Sequence, residues 1–180
     1  RLRSREDDRL LRGVAEELEG EGIRVLESTM FLGQIIPSEG VLTSRSPTSE
    51  QWEDVRFGFQ IAKEVGRLGI GQAVVVKNRV VLAVEAVDGT DAAIRRGGDL
   101  VGGGIVVVKV SKPQQDLRFD VPTVGMETIR TIYESKGAVL AVEADKTIVL
   151  EQEELVIQAD RWGIAVVAVG QQAIQDGKAR

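Results

Sequence analysis

Five short runs are almost wholly apolar: Ala73-Val74-Val75-Val76, Val80-Val81-Leu82-Ala83-Val84, Ile105-Val106-Val107-Val108-Lys109-Val110, Ala138-Val139-Leu140-Ala141-Val142 and Ile164-Ala165-Val166-Val167-Ala168-Val169. None alternates polar with apolar, so neither face of such a strand meets water. Continuous Val-rich runs of this length read as strands covered by helices on both faces. The first two runs are separated only by Lys77-Asn78-Arg79. That gap is too short for a helical crossover and reads as a hairpin. The expected class is therefore α/β, with a mixed sheet flanked by helices. Hydrophobic residues make up 43% of the chain and aromatics only 4%, which suits a valine-built core.

The segments between the runs carry helical spacing. Ser4-Arg5-Glu6-Asp7 reads as a cap, followed by Leu10, Leu11, Val14, Ala15 and Leu18, with Gly20 and Gly22 as the stop. Ile23-Arg24-Val25-Leu26 reads as a short strand, and 28–48 as mostly loop around Pro37, Gly40 and Pro47. Within that loop Phe31, Leu32, Ile35, Ile36, Val41 and Leu42 are apolar. They suit burial in the core, a groove for acyl chains, or packing on another domain. Thr48-Ser49-Glu50-Gln51 caps a helix whose stripe is Trp52, Val55, Phe59, Ala62 and Val65. Further helices are expected over Thr90–Leu100, Gly125–Lys136 and Glu151–Trp162, a strand over Thr147–Leu150, and a disordered tail over 171–180. Gly97, Gly98 and Gly102 to Gly104 fit neither the P-loop nor the dinucleotide spacing and read as a surface connection.

The chain contains no Cys and no His. A thiolate nucleophile, a Ser-His-Asp triad, a Cys/His zinc site and a disulfide are all excluded. Acid–base work falls to Asp, Glu, Lys or Tyr, and a catalytic metal would be a hard cation on oxygen ligands. The formal charge of -5 argues against nucleic acid as a partner. No apolar run approaches the roughly 18 residues of a membrane span.

Polar chemistry concentrates after the strands. Lys112-Pro113-Gln114-Gln115-Asp116-Leu117-Arg118-Phe119-Asp120-Val121-Pro122-Thr123 follows the third run, and in α/β proteins ligands bind outside the carboxyl ends of strands. Three acidic groups occupy such ends: Glu85/Asp88/Asp91, Asp116/Asp120 and Glu143/Asp145. Singly, each acid reads as a turn former or helix cap. Gathered at one edge they would repel unless neutralised by Lys109, Lys112, Arg118 or a divalent cation. Mg²⁺ uses one or two carboxylates, keeps water and bridges to a substrate phosphate. Asp88, Asp91, Asp116 and Asp120 are the candidate metal ligands. The backbone N–H groups of Thr123 and Gly125, just before a helix, suit an anionic oxygen, or mark a plain helix start. Leu-Ala-Val-Glu-Ala occurs twice, at 82–86 and 140–144, and each copy ends a strand on a glutamate.

Four runs, Pro37 to Thr43, Gly71 to Val76, Leu82 to Asp91 and Lys112 to Gly125, together resemble the LpxI-type UDP-2,3-diacylglucosamine pyrophosphatases in order and separation. The resemblance spans about Asp7 to Val169. It implies cleavage of UDP-2,3-diacylglucosamine to UMP and 2,3-diacylglucosamine 1-phosphate (lipid X), an early step of lipid A synthesis. It implies Mg²⁺ or Mn²⁺ and a peripheral, cytoplasmic enzyme at the inner face of the inner membrane. It also implies two domains, with this chain as the C-terminal one: 1–45 would end the preceding domain and its linker, and 46–170 would be catalytic. About a third of a family member would precede the first residue.

Carried over by motif, Asp88 and Asp91 match the acids of the Glu-Gly-Thr-Asp-like run, with Val87-Asp88 where Ile-Glu is common. Asp116 and Asp120 match the Gln-Asp-Leu-Arg-X-Asp run, and one of them is the expected catalytic residue. Gln114 replaces a frequent Gly. Lys112, Gln115, Arg118, Thr123, Gly125 and Thr90 are expected to face the substrate, and a homodimer is a possible assembly. Three other readings stand beside this one: a non-catalytic sugar-nucleotide or lipid-binding module, a Mg²⁺-dependent hydrolase of another nucleotide diphosphate compound, and an oligomerisation domain.

Overall fold

The computed structural model describes residues 5–27, 29–30 and 32–175. Its centre is a six-stranded sheet in the order β1-β8-β6-β4-β2-β3. The strands are β1 (Gly40–Val41), β2 (Ala73–Lys77), β3 (Val80–Val84), β4 (Val106–Lys109), β6 (Val139–Glu143) and β8 (Ala165–Val169). β4, β6 and β8 are parallel, whereas β1–β8, β2–β4 and β2–β3 are antiparallel. The sheet is mixed, as the sequence predicts. The last of the five apolar runs and the third and fourth form its parallel centre, and the hairpin forms one edge.

Helices cover both faces. On one, α2 (Ser49–Arg67) and α6 (Gln171–Gln175) pack Trp52, Val55, Phe59, Ala62, Val65, Ala173 and Ile174 against Val74, Val76, Val106 and Val108. On the other, α3 (Thr90–Val101), α4 (Met126–Glu134) and α5 (Gln152–Arg161) pack Ile94, Ile129, Ile132 and Leu155 against Val75, Val107, Leu140 and Val166. Alternate residues of one strand therefore serve two cores. Each buried valine stabilises the fold by roughly 1.5–3 kcal/mol relative to exposure. The face-to-face approach demands glycine at Gly58, where a Cβ would lie 2.7 Å from the Val108 side chain.

Local signals explain the element ends. Thr48 and Gln51 form the expected capping box of α2. The hairpin turns through Asn78 and Arg79, both at positive φ, and their N–H groups donate to Asp54 of α2 at 2.9 and 2.6 Å. Asp54 is itself buried, so it is the anchor of this edge of the sheet.

Three expectations need correction. Ile23 to Leu26 form no strand: they lie beyond α1 (Arg5–Gly20), with Ile23 and Leu26 exposed and no paired neighbour. Residues 171–175, expected in a disordered tail, are helical because Ala173 and Ile174 close the end of the first core. The strand over Thr147–Leu150 shrinks to β7 (Ile148–Val149), which pairs with β5 (Thr123–Val124) in a separate two-stranded sheet. Val41 and Leu42 of the apolar loop pack on the two cores. Ser4, Phe31 and residues 176–180 lie outside the described residues.

Candidate functional site

The sheet brings the ends of β3, β4, β6 and β8 to one rim. Glu85 donates its backbone N–H to Ala73, Ala73 pairs with Lys109, and Lys109 is in register with Val142. Val142 in turn faces Ala168. The residues immediately beyond these positions form the rim, and two polar clusters stand there on opposite faces of the sheet.

The first cluster surrounds Lys109, which is buried on the α3–α4 face. Its ammonium donates to Thr90 Oγ1 at 3.1 Å and to the Thr123 carbonyl at 2.9 Å. The Thr90 hydroxyl donates onward to Glu85 Oε1 at 2.6 Å, and the Gln72 N–H fills Glu85 Oε2 at 2.9 Å. Burial lowers the Lys109 pKa, while the charges of Glu85, Asp91 and Asp120 act in the opposite direction. Asp91 Oδ1 is buried and lacks any hydrogen-bond partner.

The 112–123 segment folds over this cluster as a tied loop. The Lys112 N–H donates to Gln115 Oε1 at 2.8 Å, and Gln115 Nε2 donates to Asp120 Oδ2 at 2.8 Å. Gln114 Nε2 donates to the Gly66 carbonyl at the end of α2, and Arg12 of α1 donates to the Gln114 carbonyl. Arg118 grips Asp116 through Nε and NH2 at 3.0 and 2.8 Å and reaches Glu19 of α1 at 3.0 Å. The guanidinium of Arg118, aided by Arg12, holds the Asp116 carboxyl below the usual range.

The second cluster lies on the α2 face. Glu143, 1% exposed, accepts from Lys63 at 2.8 and 2.7 Å, from Lys146 at 2.9 Å and from the Ser111 N–H at 2.9 Å. Lys63 also donates to the Ser111 carbonyl at 2.8 Å, and burial lowers its pKa. The repeated Leu-Ala-Val-Glu-Ala thus delivers its two glutamates to one rim but to opposite faces.

The acids singled out in the sequence do not gather as a set of four. Asp88 pairs with Arg96, and Asp116 is committed to Arg118. Asp91 and Asp120 remain in electrostatic reach of Lys109, with Glu85 beside them. Among the described residues no three carboxylates come close enough to cage an ion. The donor set nevertheless suits a hard cation held by one or two carboxylates and shared with a ligand: Glu85, Asp91 and Asp120 lie in electrostatic reach of one ammonium, and a buried Asp91 oxygen is unpartnered. Of the substrate-facing candidates, Thr90, Gln115 and Thr123 lie in or against the Lys109 cluster. Lys112 starts the loop, Gly125 precedes α4, and Arg118 is turned to Asp116 and Glu19. Sequence reasoning did not single out Lys63. It sits on the apolar stripe side of α2, next to Phe59 and Ala62, and a lysine at such a position is the signal that could have found a buried partner.

No helix among the described residues is long and apolar enough to cross a membrane. Residues 38–167 match the LpxI C-terminal domain. The chain is 37% identical over 174 residues to the UDP-2,3-diacylglucosamine pyrophosphatase LpxI of Caulobacter vibrioides, an alignment covering 92% of this chain and 62% of that protein. A more distant similarity, 25% identity over 135 residues, is to the bifunctional purine biosynthesis protein PurH of Anoxybacillus flavithermus, covering 72% of this chain and 23% of that protein. The mixed α/β sheet, the four motif runs and the match over most of its length together establish that this chain belongs to the LpxI C-terminal domain family.

Proposed function

We propose that this chain carries the hydrolytic site of a UDP-2,3-diacylglucosamine pyrophosphatase, producing UMP and 2,3-diacylglucosamine 1-phosphate for lipid A biosynthesis. The reading is carried by the Lys109 cluster, buried at the strand rim of a chain 37% identical to a named pyrophosphatase. Asp120 is the general base. Its Oδ2 is held by Gln115, which aims the carboxylate, whereas Asp116 is occupied by Arg118. A water oxygen bonds to one phosphorus of the anhydride and its proton passes to Asp120. The P–O bond to the bridging oxygen breaks, and the second phosphate leaves as an anion.

Lys109 keeps the carboxylates together and offers positive charge to the departing phosphate. Lys112 and the Gly125 N–H, the latter at the start of α4, complete the anion-binding side. Mg²⁺ or Mn²⁺ would be held by Asp91, through its unpartnered oxygen, with Asp120 as the other carboxylate in electrostatic reach of Lys109. When bound, it supplies Lewis-acid polarisation of a phosphoryl oxygen. Because the substrate carries two acyl chains, the enzyme would act as a peripheral protein at the cytoplasmic face of the inner membrane.

The chain spans 62% of the length of its pyrophosphatase relative, so the test uses the full-length protein. UMP release from UDP-2,3-diacylglucosamine with Mg²⁺ is followed for wild type and Asp120→Ala. Mg²⁺-dependent release lost in the variant is the expected result. A folded wild type that binds the substrate without turnover overturns the hydrolytic reading.

A further inference from the structure

The buried ion pair on the α2 face takes no part in the backbone ladders of the sheet. The parallel ladders of β4, β6 and β8 are complete without it. What it does hold is one peptide unit on each side of Ser111. The Ser111 N–H meets Glu143 Oε2 and the Ser111 carbonyl meets Lys63 Nζ. Ser111 stands just beyond β4, at the point where the chain leaves the sheet for the loop. Both of its backbone groups are therefore taken by side chains rather than by a neighbouring strand.

The contacts continue outward. Ser111 Oγ lies 3.3 Å from Gln115 Oε1, which also accepts the Lys112 N–H, and Gln115 Nε2 donates to Asp120. A continuous set of hydrogen bonds thus runs from a charge pair under the sheet rim to the carboxylate assigned as base. We propose that Lys63 and Glu143 are positioning residues, which hold Ser111 so that Gln115 sets the reactive geometry of Asp120. This inference rests on the hydrolytic reading of the site.

The arrangement has a physical reason. A loop tied only by exposed side chains would sample many positions, and exposed ion pairs contribute little. An ion pair with a buried carboxylate, satisfied by two lysines and a backbone N–H, resists disruption, because removing one partner leaves a buried charge uncompensated. The loop base therefore has one well-defined position. Neither side chain contacts the reacting atoms, so their loss should act on turnover more than on substrate affinity.

The test compares full-length wild type with Glu143→Gln, Lys63→Met and Gln115→Leu. Initial rates give kcat and KM, and deuterium exchange follows the amides of 111–120. A misplaced base costs about a hundredfold. The expected result is a kcat fall of about that size in each variant, little change in KM, and faster exchange across 111–120 in the first two. Combining Glu143→Gln with Gln115→Leu should cost much less than the product of the single effects. A folded Glu143→Gln variant with normal kcat, or with unchanged exchange over the loop, overturns the proposal. Should Lys63→Met fail to fold, Glu143→Gln and Gln115→Leu decide by the same criteria. If wild type has no turnover at all, the hydrolytic reading is lost, and exchange in Glu143→Gln still decides whether the pair fixes the loop.

Discussion

The ammonium of Lys109 donates to the hydroxyl oxygen of Thr90 at 3.1 Å, although the two residues come from different elements, β4 and the start of α3. Thr90 is thereby both acceptor from Lys109 and donor to Glu85. The relay joins three elements through one buried cation. Lys109→Met would leave Glu85, Asp91 and Asp120 without their shared counter-charge. The expected loss of stability is roughly 3–5 kcal/mol, read as a lowered urea midpoint. A midpoint equal to wild type would mean that water solvates the carboxylates well enough without the ammonium.

Asp120→Ala should lower turnover by orders of magnitude while Tm stays near wild type, because its carboxylate is only partly buried and bonded to a single side chain. Asp116→Asn should cost far less in turnover. Substrate assays on the two variants side by side separate a base from an arginine anchor. Equal losses would show that the choice between the two acids is wrong.

Asp116 also makes a pH prediction. Its folded-state pKa is lowered, first of all by the hydrogen bonds from Arg118. Its contribution to stability is therefore present above the unfolded-state value and is lost as pH falls through the lower folded-state value. Exposure and salt keep that contribution small. Asp116→Asn should flatten the acid limb of stability against pH, measured as urea midpoints from neutral pH downward. An unchanged limb would show that the pairing does not persist in solution.

Gly71 admits no side chain, because a Cβ there would overlap the Glu85 carbonyl oxygen. Gly71→Ala should push the end of β3 outward, costing roughly 1–3 kcal/mol and displacing Glu85 from Thr90. Thermal unfolding and turnover should both fall. An unaffected Tm would mean that the hairpin edge yields without strain.

Removal of divalent cations with a chelator should abolish UMP release, and Mg²⁺ or Mn²⁺ should restore it. The Asp91→Asn variant should need a higher concentration of metal, since it alters a buried carboxylate oxygen that has no partner. Turnover that persists under chelation would place the whole electrostatic task on Lys109, Lys112 and the loop.

Much of the architecture was legible because the strands are buried on both faces. Val106, Val107 and Val108 are each fully buried, and a run with no polar alternation has no other stable place. The capping box at Thr48 and Gln51 marked the start of α2 for an equally local reason. Ile23 to Leu26 misled because apolar composition resembles a strand wherever it occurs, while a strand also needs a partner. The same limit applied to the acids. Asp88 and Asp116 resemble Asp91 and Asp120 in sequence, but their arginines arrive from eight residues away and from within their own loop.

By itself, the amino-acid sequence determined the α/β class, the hairpin, most helix boundaries and the absence of thiol or imidazole chemistry. Those properties depend on residue type and short-range periodicity. Only the tertiary structure decided which charges share a volume. It set Lys109 among Glu85, Asp91 and Asp120 on one face, and Lys63 against Glu143 eighty residues away on the other. Strand register and side-chain alternation make that selection, and both arise from how the whole sheet is packed rather than from any single segment.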